Sequence, residues 1–266
     1  MNKIIEIIFI FVIYSFIGWI LESVYKSILQ KKIVNSGFLI GPFCPIYGYG
    51  ALIMYYCLIG LKSDIFLLFI SSLVILSVWE YIVGWGLEIV FKTKYWDYSN
   101  KFLNIGGRVC LLNSIFWGVL GVLFIKLIHP AICDLTANIP TIYIAIFLSI
   151  SILYIVIDTI ITAVNIIRTN IRIEKIEEIQ KELTKRVKVM NDMVKHKEYM
   201  SRRKLEVNIE RVTDKLSYKF DELESKRDEL AALIEKRTKR IRNAFPTMNS
   251  EKLREVLKLN SNKDIK

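Results

Sequence analysis

Four acidic side chains lie within long apolar stretches of this sequence, where a charged carboxylate is costly. Glu22 and Glu88 each stand near the end of such a stretch, whereas Glu80 and Asp158 lie deeper. Counted at about 1.5 Å per residue from the next basic residue, the deeper two lie roughly 15–18 Å into the apolar layer. An ionisable residue inside a membrane segment marks a pathway, a bound cation or a proton-transfer site by default.

Two interpretations stay open for each pair of acids. Glu22 and Glu88 could face each other and line a pathway or hold a cation, or they could pair with Arg108 or nearby lysines at the membrane surface. Glu80 and Asp158 could be protonated or share a proton inside the bundle. Alternatively, they could be hydrogen-bonded packing residues with Tyr or Ser neighbours.

The two shallower glutamates belong to a phrase that occurs twice. Residues 18–26 read GWILESVYK and residues 84–92 read GWGLEIVFK, with six of nine positions identical. The pattern predicts an internal duplication of a helix–loop–helix unit, about 4–62 and 65–128, with parallel copies because each contains two crossings. The matched positions are Gly18, Trp19 and Glu22 with Gly84, Trp85 and Glu88; Asn35 and Gly37 with Asn104 and Gly106; Tyr47 and Gly48 with Trp117 and Gly118.

Hydropathy predicts the elements that carry these residues. The chain is 53% hydrophobic with a mean hydropathy of +0.37, and its apolar runs are long enough to cross a bilayer. We expect an all-α membrane protein with a polytopic domain over 1–167. The five predicted transmembrane helices are about 4–25, 46–62, 65–91, 111–128 and 141–167.

The loops between these helices predict the orientation. The first and third loops carry most of the lysines and Arg108, whereas the second and fourth carry few basic residues. Basic loops favour the cytoplasmic side. We therefore expect the N-terminus outside, the C-terminal tail inside, and the protein in the bacterial cytoplasmic membrane.

The tail from residue 168 differs in composition from the membrane part. It holds 27 Lys+Arg and 18 Asp+Glu, and no proline lies between Pro140 and Pro246. We predict a cytoplasmic helix or coiled coil over 168–243, either continuous or bent near 200–205, which could self-associate. Its two predicted seams are Ile176, Ile179, Leu183, Met190 and Met193, and then Ile209, Val212, Leu216, Leu223, Leu230 and Leu233.

The last segment, 244–266, is predicted to begin with a break. Phe245-Pro246 interrupts the long helix, because the residue before proline disfavours helical geometry. Ser250 is a suitable N-cap for a short final helix that would end near Leu259.

Two loops contain further candidate site residues. The segment 36–50, SGFLIGPFCPIYGYG, has four glycines and two prolines, so it predicts irregular backbone. It could form a substrate vestibule or a tight turn packed against the first helix. In the other basic loop, Trp96 and Tyr98 suit the headgroup region and Asp97 suits a turn cap, and a lipid or partner could bind there.

Several classes of function are disfavoured by the motifs. No phosphate-binding Walker A loop, GxSxG or HExxH pattern occurs, so we expect no enzyme activity and no cofactor. The four cysteines form no CxxC pair and only two histidines are present, which disfavours a metal site. The mixed charges of the tail, with few aromatics, disfavour nucleic acid as a partner.

The runs YSFIGWILESVYKSI, NSGFLIGPFCPIYGYGAL and KYWDYS, followed by GGRVC and Trp117-Gly118, resemble a bacterial membrane family. This family is labelled "putative ABC-transporter type IV", and the resemblance covers roughly 5–165. It implies a multi-pass, permease-like protein that works with a separate ATPase subunit. The positions that carry the resemblance are Gly18, Trp19, Glu22, Asn35, Gly37, Gly41, Pro42, Cys44, Pro45, Tyr47, Gly48, Trp96, Asp97, Tyr98, Gly107 and Arg108.

Transport is therefore the leading functional hypothesis, with membrane lipids and an ATPase as partners. The alternatives are a membrane-anchored coiled-coil scaffold and, third, an intramembrane enzyme that acts on a lipid-linked substrate.

Overall fold

The structure is a computed structural model that describes residues 2–199 and 203–248. In this part the regular secondary structure is all helical, and the only bridge it contains is an isolated pair between Ile105 and Val109. The predicted helix from Ser250 to Leu259 and part of the predicted bend near 200–205 lie outside the described residues.

In chain order, the helices of the described chain are α1 Lys3–Gln30, α2 Pro45–Leu58 with a 3₁₀ turn Ile59–Leu61, α3 Ile65–Phe91, α4 Leu111–Leu123, a π-helical turn Phe124–Ile128, α5 His129–Thr136, α6 Thr141–Tyr199 and α7 Arg203–Ala244. The helices from α1 to the first part of α6 follow the apolar runs, whereas the rest of α6 and α7 are rich in charged residues. The last of these helices ends at Ala244, directly before Phe245-Pro246.

Local signals explain where the helices begin and end. Asn2 accepts a hydrogen bond from the Ile4 amide at the start of α1, and Asp64 accepts one from Leu67 at the start of α3. The C-caps of α1 and α3 are left-handed residues, at φ 50° and 51° respectively. α2 starts on Pro45, whose fixed φ suits the first helical position.

Four helices are long and apolar enough to cross a membrane: Lys3–Gln30, Ile65–Phe91, Leu111–Thr136 and the part Thr141–Val189 of α6. The second predicted span, Pro45–Leu61, is a shorter apolar helix. It is short because the irregular segment before it continues up to residue 44. The fourth predicted span is longer than 111–128, since the π-helical turn carries the chain directly into α5.

The helices pair into two hairpins, α1 with α2 and α3 with α4. Glycines allow the close approach in both. A Cβ atom at Gly48 would collide with Ser15 and Phe11 of α1, and one at Gly118 would lie 2.6 Å from the Phe69 ring of α3. The loops of the two hairpins meet, with the Phe38 ring 5.5 Å from the Tyr95 ring.

The core lies between the hairpins, and the outer surface is apolar. Ile10, Leu68, Leu76 and Ile125 are fully buried. Only 22–33% of each candidate span is buried within the protein. The remaining apolar surface of the spans fits a hydrocarbon environment.

The described chain forms two compact units. The first comprises residues 2–165 and 240–248, and the second comprises 166–199 and 203–239. In the second unit the buried residues recur at intervals of three and four, as a helical packing face requires. They are Ile166, Thr169, Ile173, Ile176 and Leu183 on α6, and Ala231, Ile234 and Thr238 on α7.

The described end of the second predicted seam is only partly buried in the single chain, and its role as a coiled-coil seam stays a prediction. Leu233 is 38% exposed, whereas its neighbour Ile234 is 1% exposed. The buried face passes through the small residue Ala231, which a count of leucines misses. The side chains of the predicted seam residues Met190, Met193, Ile209, Val212 and Leu216 lie outside the description.

Candidate functional site

Glu80 of α3 is the most deeply buried glutamate of the described chain, at 5% exposure. Two side chains of α4 donate to it. Asn113 Nδ2 lies 3.0 Å from Oε1, and Trp117 Nε1 lies 2.9 Å from Oε2. Because Asn113 and Trp117 are four residues apart, they project from the same face of α4.

Tyr98, from the loop between α3 and α4, completes this arrangement. Its hydroxyl bonds to Glu80, and Asn113 Nδ2 donates to it at 2.6 Å. Burial raises the pKa of Tyr98, and the negative charge of Glu80 raises it further, so the phenol keeps its proton. We call Glu80, Tyr98, Asn113 and Trp117 the Glu80 cluster.

The Glu80 cluster adjoins the first hairpin. The Tyr47 ring of α2 lies 5.8 Å from the Trp117 ring. Gly18 of α1 leaves room for Tyr47, since a Cβ atom there would collide with the ring. All the donors recorded for Glu80 are neutral. Such a carboxylate can accept a proton or attract a cation.

Glu88, which lies eight residues after Glu80 on α3, is paired with a cation instead. Arg108 Nη2 and Nε lie 2.7 Å and 3.1 Å from Glu88 Oε2. The guanidinium also lies 5.3 Å from the centre of the Tyr81 ring. Glu88 is therefore neutralised within the second hairpin.

Glu22 has its own cation in the first hairpin. Lys26, four residues later on α1, forms an ion pair with it, and the Cys44 thiol donates to Glu22 Oε2 at 3.6 Å. Lys26 also donates to the Ala244 carbonyl and lies 4.6 Å over the Phe245 ring. Glu22 and Glu88 thus have different basic partners.

Asp158 holds the loop between α1 and α2. It is 6% exposed, and it accepts the backbone N–H groups of Ile40 at 3.2 Å and Gly41 at 2.7 Å. Thr162, one turn later on α6, donates to it at 3.3 Å. A Cβ atom at Gly41 would collide with Tyr154 of α6, so glycine is needed at this contact.

Arg240 holds the same loop from the C-terminal side. Its guanidinium donates to the carbonyl oxygens of Gly37, Phe38 and Leu39 at 3.4, 3.0 and 2.7 Å. Burial lowers the pKa of Arg240, and the Asp158 carboxylate opposes this effect. We call Asp158 and Arg240 the loop clamp, because one binds the amides and the other the carbonyls of residues 37–41.

The residues after Arg240 continue along the same loops. Asn243 accepts hydrogen bonds from Gln30 and Lys32, each at 2.8 Å. The Phe245 ring lies 5.3 Å from the Tyr95 ring. This C-terminal segment, residues 240–248, was not foreseen as part of the membrane unit. The only signal of it in the sequence is the Ala244-Phe245-Pro246 break.

The remaining predicted positions mostly shape the two loops. Trp19 Nε1 donates to Asn35 Oδ1 at 2.8 Å, and Asn35 Nδ2 donates to the Ile40 carbonyl at 2.7 Å. Gly37 adopts φ 91°. Pro42 is partly buried, Cys44 is buried and Pro45 begins α2. The first loop therefore packs along α1.

The second loop is built in a similar way. Trp96 Nε1 donates to the Arg108 carbonyl at 2.8 Å, and its ring lies against Gly84. Asp97 caps the turn at Ser99, and Asn104 Nδ2 donates to two carbonyls of the same turn. Gly107 adopts φ 68°, and Trp85 is half exposed.

A second buried polar group was not foreseen. His129 begins α5 after the π-helical turn, and its Nδ1 lies 3.0 Å from the Tyr14 hydroxyl. Cys133 lies 3.6 Å from the other ring nitrogen. Among the described residues, no group of three or more His, Cys, Asp and Glu is placed to hold a metal ion.

Comparisons with known proteins agree with the resemblance in the sequence. A search of curated proteins found no match, and a search of solved structures found none. A family model described as "Putative ABC-transporter type IV" matches residues 9–163, more than half of the chain. This match and the apolar helices fit a membrane transport-related protein. The chain belongs to the "Putative ABC-transporter type IV" family.

Proposed function

We propose that this chain is a permease-like subunit of a membrane transport system, and that its substrate or a coupling cation passes at the Glu80 cluster. The observation that carries the proposal is the unequal neutralisation of the four acids. Lys26 pairs with Glu22 and Arg108 pairs with Glu88, and Asp158 interacts with the charge of Arg240. Glu80, by contrast, has only neutral hydrogen-bond donors among its described partners. A buried carboxylate without a bound cation is the group best able to exchange one.

The arrangement of the helices supports a path between the two hairpins. We infer five crossings, in which α2 is the shortest, with the N-terminus outside and the tail inside. The contact between Phe38 and Tyr95 supports a crossing by α2, because α2 and α3 must run in opposite directions for the two loops to meet. The basic residues of the same two loops favour the cytoplasmic side for them. The proposed path would run between parallel copies of a duplicated hairpin in the cytoplasmic membrane.

A separate ATPase subunit would supply the energy in this proposal. The sequence has no phosphate-binding loop, and we propose that the chain itself catalyses no reaction. The two basic loops and the C-terminal segment would form the cytoplasmic face that such a subunit approaches.

A gene-replacement experiment tests the role of Glu80. A deletion strain is complemented with the native chain, with Glu80→Gln or with Glu174→Gln, an exposed acid of the second unit. Solutes inside and outside the cells are compared by mass spectrometry. We expect the native chain and Glu174→Gln to restore the solute distribution, and Glu80→Gln to leave it as in the deletion strain. Full restoration by Glu80→Gln at equal protein level contradicts the proposal.

The alternative is a membrane-anchored scaffold, which the long helices α6 and α7 favour. For a scaffold, the function would depend on the tail and not on the four acids of the membrane part. Loss of function on removal of residues 170–239, together with full function of the combined variant Glu22→Gln, Glu80→Gln, Glu88→Gln and Asp158→Asn, would support the scaffold. Self-association of the purified tail would support a coiled-coil role for it.

A further inference from the structure

The loop between α3 and α4 carries an unusual apolar tip. Phe102, Leu103 and Ile105 are 76%, 63% and 64% exposed, and Lys101 beside them is exposed as well. Other apolar side chains of this loop, such as Val109, are buried. The joint exposure of Phe102, Leu103 and Ile105 therefore distinguishes the tip from the rest of the loop.

The tip is held in one shape by its own hydrogen bonds. Asn104 Nδ2 donates to the carbonyls of Ser99 and Lys101, at 3.0 and 2.9 Å. Leu103 is left-handed at φ 48°, a conformation that is unfavourable for a branched apolar residue. A costly backbone conformation that displays a leucine to the exterior suggests that the displayed side chain has a use.

The tip lies at the level where a membrane span begins. The Leu111 amide donates to the Phe102 carbonyl at 3.4 Å, and Leu111 is the first residue of the candidate span Leu111–Thr136. The next exposed residues of that span are Leu112, Ile115 and Phe116, at 56%, 40% and 62% exposure. The apolar tip is therefore adjacent to the apolar outer face of α4.

We propose that Phe102, Leu103 and Ile105 insert into the interfacial layer of the bilayer, with the Lys101 ammonium at the phosphates of anionic lipids. The loop would then be a membrane-surface anchor that fixes the depth of the second hairpin. The inference requires that α4 spans a membrane, but it is independent of the role proposed for Glu80.

Two observations favour a lipid surface over a protein partner. The first is the continuity with the lipid-facing side of α4. The second is the composition, because apolar side chains next to a lysine at the end of a span are typical of the headgroup boundary. A protein that covered the tip would also have to displace lipid from the start of α4.

Spin labels measure the depth of the tip directly. In a background with Cys57→Ala and Cys133→Ala, which removes the exposed thiols, a nitroxide is attached at Phe102→Cys or at Asn100→Cys. Asn100 is the matched control, because it is exposed and polar and lies two residues earlier. The background protein without a new cysteine reports any labelling of Cys44 and Cys110.

In nanodiscs of phosphatidylcholine and phosphatidylglycerol, we expect the ratio of collisions with oxygen to collisions with a water-soluble nickel chelate to be several-fold higher at 102 than at 100. We also expect Lys101→Gln to lower this ratio at 102. With Lys101 retained, omission of phosphatidylglycerol from the nanodiscs should lower the ratio at 102 as well. Equal ratios at the two positions overturn the proposal. A label at 102 that both reagents fail to reach also overturns it, because a second copy of the chain would then cover the tip.

Discussion

The two hairpins use the same sequence phrase but neutralise its glutamate in different ways. In the first hairpin, α1 continues to Gln30, so Lys26 stays on the helix and pairs with Glu22. In the second, α3 ends at Phe91, so Lys92 becomes a left-handed cap and Arg108 of the loop pairs with Glu88. The length of the helix after the phrase therefore decides which cation is available.

The two hairpins also differ in the residues that hold their loops. The second loop is held mainly by its own residues, Trp96, Asp97 and Asn104. The first loop is held by Asp158 and Arg240, which lie more than a hundred residues away in the sequence. The first loop thus depends on two charged side chains from distant parts of the chain. The distant contacts of the second loop are weaker: ring contacts with Phe245 and a 3.4 Å hydrogen bond from the Asp97 amide to Thr247. Four variants probe this comparison.

Asp158→Ala should have the largest effect. It leaves the amides of Ile40 and Gly41 without their acceptor in a buried site, at about 1–3 kcal/mol for each unsatisfied group. We expect a clear loss of thermal stability in detergent and a disordered first loop. Limited proteolysis should cut near residues 36–42 in the variant, while the second loop stays protected. Equal cleavage of both loops would contradict the comparison.

Arg240→Ala should have the next largest effect, about 1.5–3 kcal/mol, because a charged donor to three carbonyls is lost. Cys44 is the reporter. Burial raises the pKa of its thiol, and the Glu22 carboxylate raises it further, so little thiolate forms in the native chain.

Loss of the Arg240 charge by itself raises the pKa of Cys44, because that charge lowers it in the native chain. Burial is the largest cause of the raised pKa, so release of the loop should outweigh this effect and lower the pKa of Cys44 towards the ordinary range of a thiol. We therefore expect maleimide to label Cys44 slowly in the native chain at all pH values from 7 to about 9. In Arg240→Ala, labelling should accelerate as the pH rises. Arg242→Ala is the matched control, since Arg242 is exposed, and it should behave as the native chain does. Slow labelling in Arg240→Ala would argue against the loop clamp.

Arg108→Ala should cost less, about 1–2 kcal/mol, because Glu88 is partly exposed and can rehydrate. Differential scanning fluorimetry of this variant and of Lys26→Ala compares the two ion pairs. We expect Arg108→Ala to leave Cys44 labelling unchanged. Lys26→Ala should increase it, because loss of the bond to Ala244 loosens the C-terminal segment and reduces the burial of Cys44, which outweighs the loss of the Lys26 charge that lowers the thiol pKa. The same labelling in both variants would remove the distinction between the hairpins.

Lys92→Gly should have the smallest effect and the opposite sign. Lys92 has φ 51°, which glycine adopts without strain, so we expect a stabilisation of about 0.5–1 kcal/mol. The ion pair between Glu88 and Arg108 should be unaffected. A measured loss of stability would show that Lys92 contributes to the second hairpin in the way that Lys26 contributes to the first.

The sequence predicts most of the helices, because they are long apolar runs with clear ends. The sequence places the second helix at 46–62, close to the observed Pro45–Leu61, and its crossing of the membrane stays a prediction because the helix is shorter than the candidate spans. It also predicts that Glu80 and Asp158 lie inside the protein, which agrees with their burial. The Glu80 partners Asn113 and Trp117 follow helical spacing, but their register against α3 depends on the packed structure.

The loop clamp could not be predicted from residue types. Asp158 binds amides and Arg240 binds carbonyls, and every residue has these groups, so the sequence of residues 37–41 carries no complementary side chain. Only the glycines hint at the contact, through the space they leave for Tyr154 and Cys44. Charged side chains are easier to pair from a sequence, and Glu22 and Glu88 do have basic side chains as partners.

The loop clamp also has a consequence for the order in which the chain is completed. Arg240 lies 201 residues after Leu39, whose carbonyl it binds. At a synthesis rate of about 5–20 residues per second, the two are made about 10–40 s apart. The first hairpin is therefore synthesised before the donor that binds the carbonyls of Gly37, Phe38 and Leu39 exists. The first loop to leave the ribosome is then among the last parts of the protein to reach its final conformation.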